Sequence, residues 1–277
     1  MAMVAVIIGG CINMFGDWFF VFPLGMGMSG AGLATVIGTS LQTLIMCGHF
    51  FRKSCRLKLA RPYNIGKAVW KIFDIGFGAS VLDLGVVVIA IMMNNQVMKY
   101  GGTIDLAVYG VIAAVGSLFQ ALFSGVGQTI QPLVSANCGA GRHDRMDIFW
   151  RMGLRTALAL GLLFTALGEL FPVQLVGLFV KLTPQLAAAA PGIVRRYYIV
   201  YSFMGVTVLA TYYLQSAMRE RMSLLIAVLR SFVLSALLIY GLPLFLKLNG
   251  VWLALPCSEC IVTIAAFVCV AVSRDRR

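Results

Sequence analysis

The chain has 277 residues, with 22 Lys and Arg against 10 Asp and Glu, a formal charge of +12, 60% hydrophobic residues and only 12% charged ones. Soluble domains carry about 25% charged residues, so this share and a mean hydropathy of +0.92 exclude a soluble enzyme, a disordered tail and a disulfide scaffold. The apolar content suffices for about eight spans of ~20 residues, and the fold class expected is an all-α polytopic membrane protein.

In chain order the predicted spans are 3–24, 30–51, 72–98, 105–136, 153–180, 193–217, 223–246 and 250–272. Each is long enough to cross ~30 Å as a helix, and their continuous apolarity lacks the alternation of a barrel strand. The first begins at once, MAMVAVIIGG, without the basic segment or cleavage site of a signal peptide. After the second span, segment 52–71 carries seven Lys and Arg. With segment 137–155, Arg219, Arg221 and the tail, it puts sixteen of the 22 basic residues on one side. The positive-inside rule makes that side cytoplasmic, with both ends of this chain on it and the protein in the plasma membrane. Anionic lipid is then the partner of the basic charge. No segment interleaves basic and aromatic residues as a nucleic-acid surface would, so no nucleic-acid partner is expected. The seven cysteines are odd in number and lie mostly in apolar runs, as small buried residues or free thiols.

Ser29-Gly30-Ala31-Gly32-Leu33-Ala34 and Asn249-Gly250-Val251-Trp252-Leu253-Ala254 each follow a Pro-containing span end and open the next span. If the two-span units 3–51 and 223–272 correspond, the second closes a six-span set and the first closes an earlier set, mostly absent. Parallel repeats of this kind occur in transporters; Gly-rich span starts can also recur by chance. The organisation expected is 1–51 as the last two helices of a first lobe, 52–71 as a basic cytoplasmic connection, and 72–277 as a six-helix second lobe.

Ionisable residues inside spans are functional hypotheses, because burying them is costly unless they are paired or solvated. They are Asp17, Asp83, Glu169, Arg230 and Glu259. Asn13 and Asp17, at i and i+4, share one helix face. Asp17 lies ~10 Å inside its span and Thr35 ~8 Å below the start of the next, so a carboxylate, a carboxamide and a hydroxyl converge at similar depth. These are hard oxygen ligands for Na⁺, or a seat for a proton on the carboxylate. Alternatively, Asp17 caps an irregular turn and Asn13 bonds a neighbouring helix. Asp83 pairs with Arg230 or lines a polar cavity. Glu259 reads as a hydrogen-bonded structural carboxylate, and Glu169, just before Phe171-Pro172, as a residue where the helix bends or reaches an aqueous crevice. Gln128 and Gln131, followed by Pro132, mark a bent and partly hydrated helix or a helix–helix contact, and Asn94 and Asn95 have the same two readings. Cys257 and Cys260 lack a second ligand pair, His49 and His143 stand alone, and no nucleophile–base set appears. Neither an enzyme, a cofactor, a metal beyond Na⁺ at Asp17, nor an obligate protein partner is inferred.

Several of these segments, in order, resemble the multidrug and toxin extrusion (MATE) family. Asn13-Met14-Phe15-Gly16-Asp17 through Gly30-Ala31-Gly32-Leu33-Ala34-Thr35 is similar to its fifth and sixth helices. Tyr109-Gly110, Gly127-Gln128-Thr129-Ile130-Gln131-Pro132 and Asn137-Cys138-Gly139-Ala140-Gly141-Arg142 are similar to its eighth helix and the following loop. Arg230 and Pro256-Cys257-Ser258-Glu259 are similar to the eleventh and twelfth. The resemblance implies twelve helices in two lobes, of which this chain, truncated at its N-terminus, holds the last two of the first lobe and all six of the second. It implies a cation site at Asn13, Asp17 and Thr35, lacking the family's acidic partner on the first helix. Asp83 lies near, but about a turn from, the coupling acid that some members place on the seventh helix. Asp83, Asn94, Gln128 and Gln131 are the candidates for a coupling or substrate cavity. The function implied is Na⁺- or H⁺-coupled export of amphipathic or cationic organic compounds. A lipid-linked sugar flippase of related fold, or a non-transporting fragment, is the alternative.

Overall fold

The computed structural model describes residues 2–48 and 65–275; side chains at 2, 65, 67–68, 70–83 and 275 lie outside the description. The described residues are helical, with no strand among them. A spanning chain must satisfy its backbone polar groups within each segment, and helices do this without neighbours. The helices are α1 (Ala2–Val21), α2 (Gly27–Cys47), α3 (Ile65–Tyr100), α4 (Thr103–Gly139), α5 (His143–Leu170), the short α6 (Pro172–Gly177), α7 (Pro184–Tyr198), α8 (Val200–Ser216), α9 (Glu220–Val228), α10 (Leu234–Leu246) and α11 (Leu248–Asp275). A π-helical segment, Leu229–Val233, joins α9 to α10 in one rod. Among the described residues seven stretches are long and apolar enough to cross a membrane, and α3 adds the apolar run Leu84–Tyr100. The protein is thus a multi-pass membrane protein, with eight long rods among the described residues.

Three predicted boundaries move. The span expected at 153–180 stops at Leu170, where Phe171 leaves helical geometry (φ −126°, ψ 42°) ahead of Pro172; the proline ring disfavours helical geometry in the residue before it. The span expected at 193–217 begins earlier, at Pro184, where Thr183 accepts the Leu186 amide at 3.3 Å as an N-cap. The connection expected over 137–155 shrinks to Ala140–Arg142, so Arg145, Arg151 and Arg155 ride on α5.

The chain divides into two compact units, residues 1–69 and 70–277. The first contains the antiparallel hairpin of α1 and α2. A Cβ on Gly38 would lie 2.8 Å from the Gly9 carbonyl oxygen and 2.9 Å from Asn13 Cβ, so only glycine lets the two backbones meet there.

The second unit packs around α8, which touches α4, α5, α7, α9 and α11. One core cluster joins Met93, Ile112, Phe123, Phe164, Tyr198, Tyr201 and Trp252, with Phe119 stacked on Phe164 at 3.8 Å and 2°. A second joins Met146, Trp150, Tyr213, Leu214, Ile226 and Val262, with Trp150 and Tyr213 rings 4.9 Å apart. Leu162, Val233, Leu237, Phe245 and Ile264 remain exposed, as expected where lipid replaces water as the outer solvent. The glycines of the two similar segments, Gly30 and Gly250, have parallel local contacts. Gly30 packs against Phe20 at the end of α1, and Gly250 against Leu242 and Pro243 at the end of α10, each at the start of the second helix of its pair.

Candidate functional site

In the first unit the hairpin brings α1 and α2 together where the polar residues lie. Asn13 Nδ2 donates to Thr35 Oγ1 at 3.2 Å, and Thr35 Oγ1 donates to the Ala31 carbonyl at 3.0 Å. Thr35 thereby uses its single hydrogen and keeps one lone pair. The Asn13 amide nitrogen is turned to Thr35, which leaves its carbonyl oxygen as the group open to a ligand. One turn along α1, Asp17 is half-buried, and its Oδ1 is buried with no hydrogen-bond partner. Buried carboxylate oxygens are nearly always satisfied, so an orphan of this kind leaves a position for a further partner. Carboxylate, carboxamide and hydroxyl oxygens are hard donors, the kind that Na⁺ takes. Beside them Phe15, Gly16, Phe19, Phe20, Ala34 and Ile37 line an apolar groove.

Of the cavity candidates of the second unit, Asn94 lies on α3, and Gln128 and Gln131 lie on α4. Asn94 and Gln128 are exposed and Gln131 is half-buried. Gln128 Nε2 donates to Tyr212 Oη at 3.4 Å, a helix–helix contact between α4 and α8. Pro132 sits within α4, which continues to Gly139. The side chain of Asp83 lies outside the described residues. Glu169, at the end of α5, has its backbone carbonyl bonded by Arg195 Nε at 3.2 Å and its carboxylate 3.7 Å from the same nitrogen, both side chains about half exposed.

The second unit has a polar centre that the spacing of residues did not indicate. Arg230, on the π-helical segment, donates from Nε to Glu259 Oε1 on α11. Thr207 on α8 donates to Glu259 Oε2 at 2.7 Å, and Arg230 Nη2 reaches Gln120 Oε1 on α4 at 3.5 Å. Glu259 is 5% exposed and Thr207 fully buried, whereas the Arg230 side chain is 22% exposed. Four helices therefore meet at one mid-span ion pair. The described carboxylate on Arg230 is Glu259, which is charge-paired as well as hydrogen-bonded; the expected alternative, Asp83, has its side chain outside the described residues. Glu259 is recognisable in the sequence as an intramembrane acid, but its partner is not, because 29 residues separate the two and they lie on different rods.

The MatE family model matches residues 81–240, more than half of the chain. A comparison with curated proteins finds no match. Among solved structures the chain is similar to an outward-facing multidrug resistance MATE family transporter of the MOP superfamily, at 19% identity and a TM-score of 0.86, covering 99% of this chain and 61% of that one. It is similar to a MOP superfamily transporter from Pyrococcus furiosus whose binding pocket is described as of reverse polarity, suggesting a different function; identity is 19%, TM-score 0.85, and coverage 99% and 62%. A MATE protein in a bent conformation is also similar, at 20% identity, a TM-score of 0.81, and coverage of 99% and 61%. At such identities the likeness shows the fold. The chain spans about three fifths of the length of the solved structures it matches.

Proposed function

The chain belongs to the MatE family of membrane transporters, and from that premise we propose that it serves as a Na⁺- or H⁺-coupled antiporter that exports amphipathic or cationic organic compounds across the plasma membrane. The observation that carries this reading is the buried, unpartnered Oδ1 of Asp17 beside the Asn13–Thr35 pair. Such an oxygen gains most from a cation or a proton, and a bound cation biases alternating access only through unequal affinity for the two states. Asp17 would hold the ion, Asn13 Oδ1 and Thr35 Oγ1 would complete its oxygen shell, and the charge neutralised on binding is what would link ion entry to lobe movement. The sixteen basic residues on one side support a cytoplasmic placement of both ends of this chain.

The test is ethidium accumulation in efflux-deficient cells. The chain is expressed as it stands, joined to the remaining first-lobe helices of a MATE relative, and in that joined form with Asp17→Asn. Asparagine keeps the shape of Asp17 and removes its charge. The expected outcome is low accumulation in the joined form and loss of that effect in the variant, with insertion unchanged. Cation-driven export that persists in the Asp17→Asn form would overturn the assignment.

A further inference from the structure

The polar centre of the second unit has an unequal distribution of partners. Glu259 is sealed, with Thr207 on one oxygen and Arg230 on the other. The guanidinium is bound along one edge only: Nε to Glu259, and Nη2 at the limit of hydrogen-bond length from Gln120. No described residue accepts from Nη1, although a guanidinium carries five donors in a planar fork. That fork sits at the partly exposed end of the pair, since the arginine is more exposed than its carboxylate.

Stability alone does not account for this arrangement. Replacing a buried ion pair by apolar side chains of similar volume is often neutral or stabilising, and charges inside a span mark binding or transport paths. The backbone carries a second sign. The rod Glu220–Leu246 widens to a π-helical turn at Leu229–Val233 with Arg230 in it, and the freed Arg230 carbonyl is taken up by the Ser235 hydroxyl. Such turns interrupt the regular bonding of a helix and concentrate at functional sites. Here the turn carries Arg230, which Glu259 and Gln120 hold in one orientation.

We infer that Arg230, oriented by Glu259, is a recognition site for an oxyanion, a carboxylate or phosphate, carried by an amphiphile within the membrane. A fixed fork whose outer edge meets no acceptor among the described residues matches two oxygens of one anion through parallel charge-assisted hydrogen bonds. The role of Glu259 is to position the arginine. Its negative charge also leaves the pair neutral in the absence of the ligand. The inference rests on the transport reading only in making that amphiphile cargo.

The test is equilibrium binding to the full chain in dodecyl maltoside, using dodecyl phosphate, dodecyltrimethylammonium and inorganic phosphate as probes. The expected result is preference for dodecyl phosphate over dodecyltrimethylammonium. The double variant R230M/E259Q, which removes both charges together, loses at least about tenfold in dodecyl phosphate affinity, roughly one charge-assisted hydrogen bond. Inorganic phosphate distinguishes the source: competition by it marks a headgroup site for free anion, and lack of competition marks a site that also needs the chain. If the double variant does not fold, Arg230→Lys keeps a charge for Glu259 and removes the fork, and should weaken dodecyl phosphate binding by a similar factor. Equal affinity for dodecyl phosphate in the wild type and in whichever variant folds overturns the inference. Binding is read without transport, so a chain that exports through Asp17 but shows no anion preference refutes this site alone. A chain that binds the anion but does not export refutes only the antiport reading.

Discussion

Removing one member of the Arg230–Glu259 pair should cost far more than removing both. Arg230→Met leaves Glu259, 5% exposed, with Thr207 as its one remaining partner. A buried carboxylate stripped of its cation loses about 3–5 kcal/mol of stability. Glu259→Gln keeps an oxygen for Thr207 and strands an arginine whose side chain is 22% exposed, so its cost should be smaller, about 1–3 kcal/mol. The double variant, with both charges gone and methionine filling the arginine stem, should lie within about 1 kcal/mol of the parent. The coupling between the positions is then about 3–7 kcal/mol, the sum of the two single costs less that of the double. SDS titration in mixed micelles, followed by tryptophan fluorescence, measures all four members of the cycle. Additive single costs in the double variant would show that the two side chains do not act as a pair, and would remove the premise on which Arg230 is held in place.

Three further outcomes follow from packing and exposure. Gly38→Ala sets a methyl 2.8 Å from the Gly9 carbonyl oxygen; parting the α1–α2 hairpin should cost about 1–3 kcal/mol, and cysteine cross-linking across the hairpin should slow, while unchanged cross-linking would show that the helices are not in close contact. Phe164→Ala removes a ring stacked at 3.8 Å on Phe119 and 4% exposed, and should lower stability by about 3–5 kcal/mol; a fall in thermal midpoint of only a degree or two would contradict that packing. Arg274→Ala breaks a 2.8 Å ion pair with Asp147 whose side chains are about one third exposed, so the loss should be under about 1 kcal/mol and vanish in high salt; a large, salt-independent loss would point to a buried role.

Much of this protein was legible in the sequence. Long, continuously apolar runs become helices when lipid offers no hydrogen bonds to the backbone, and the eight rods among the described residues overlap those runs, with several ends shifted. The meeting of Asn13 and Thr35 was also legible, because two helices joined by a short turn must lie antiparallel, and depth along each then follows from 1.5 Å per residue. The helix stop at Leu170 was less so: the apolar run continues past it, and only the geometry imposed by Pro172 ends the helix there.

Residue types and spacing by themselves thus determined the class of the protein, the order of its helices and the local hairpin that carries Asp17. Tertiary structure alone decided which intramembrane charges meet. In water a buried helix face announces itself by its apolar stripe, but here every face is apolar, and rotation about each rod leaves no trace in the pattern. The contacts that set those rotations are side-chain packing, such as Phe119 on Phe164 and Trp150 against Tyr213. Those rotations bring Gln120, Thr207, Arg230 and Glu259, far apart along the chain, to a single point.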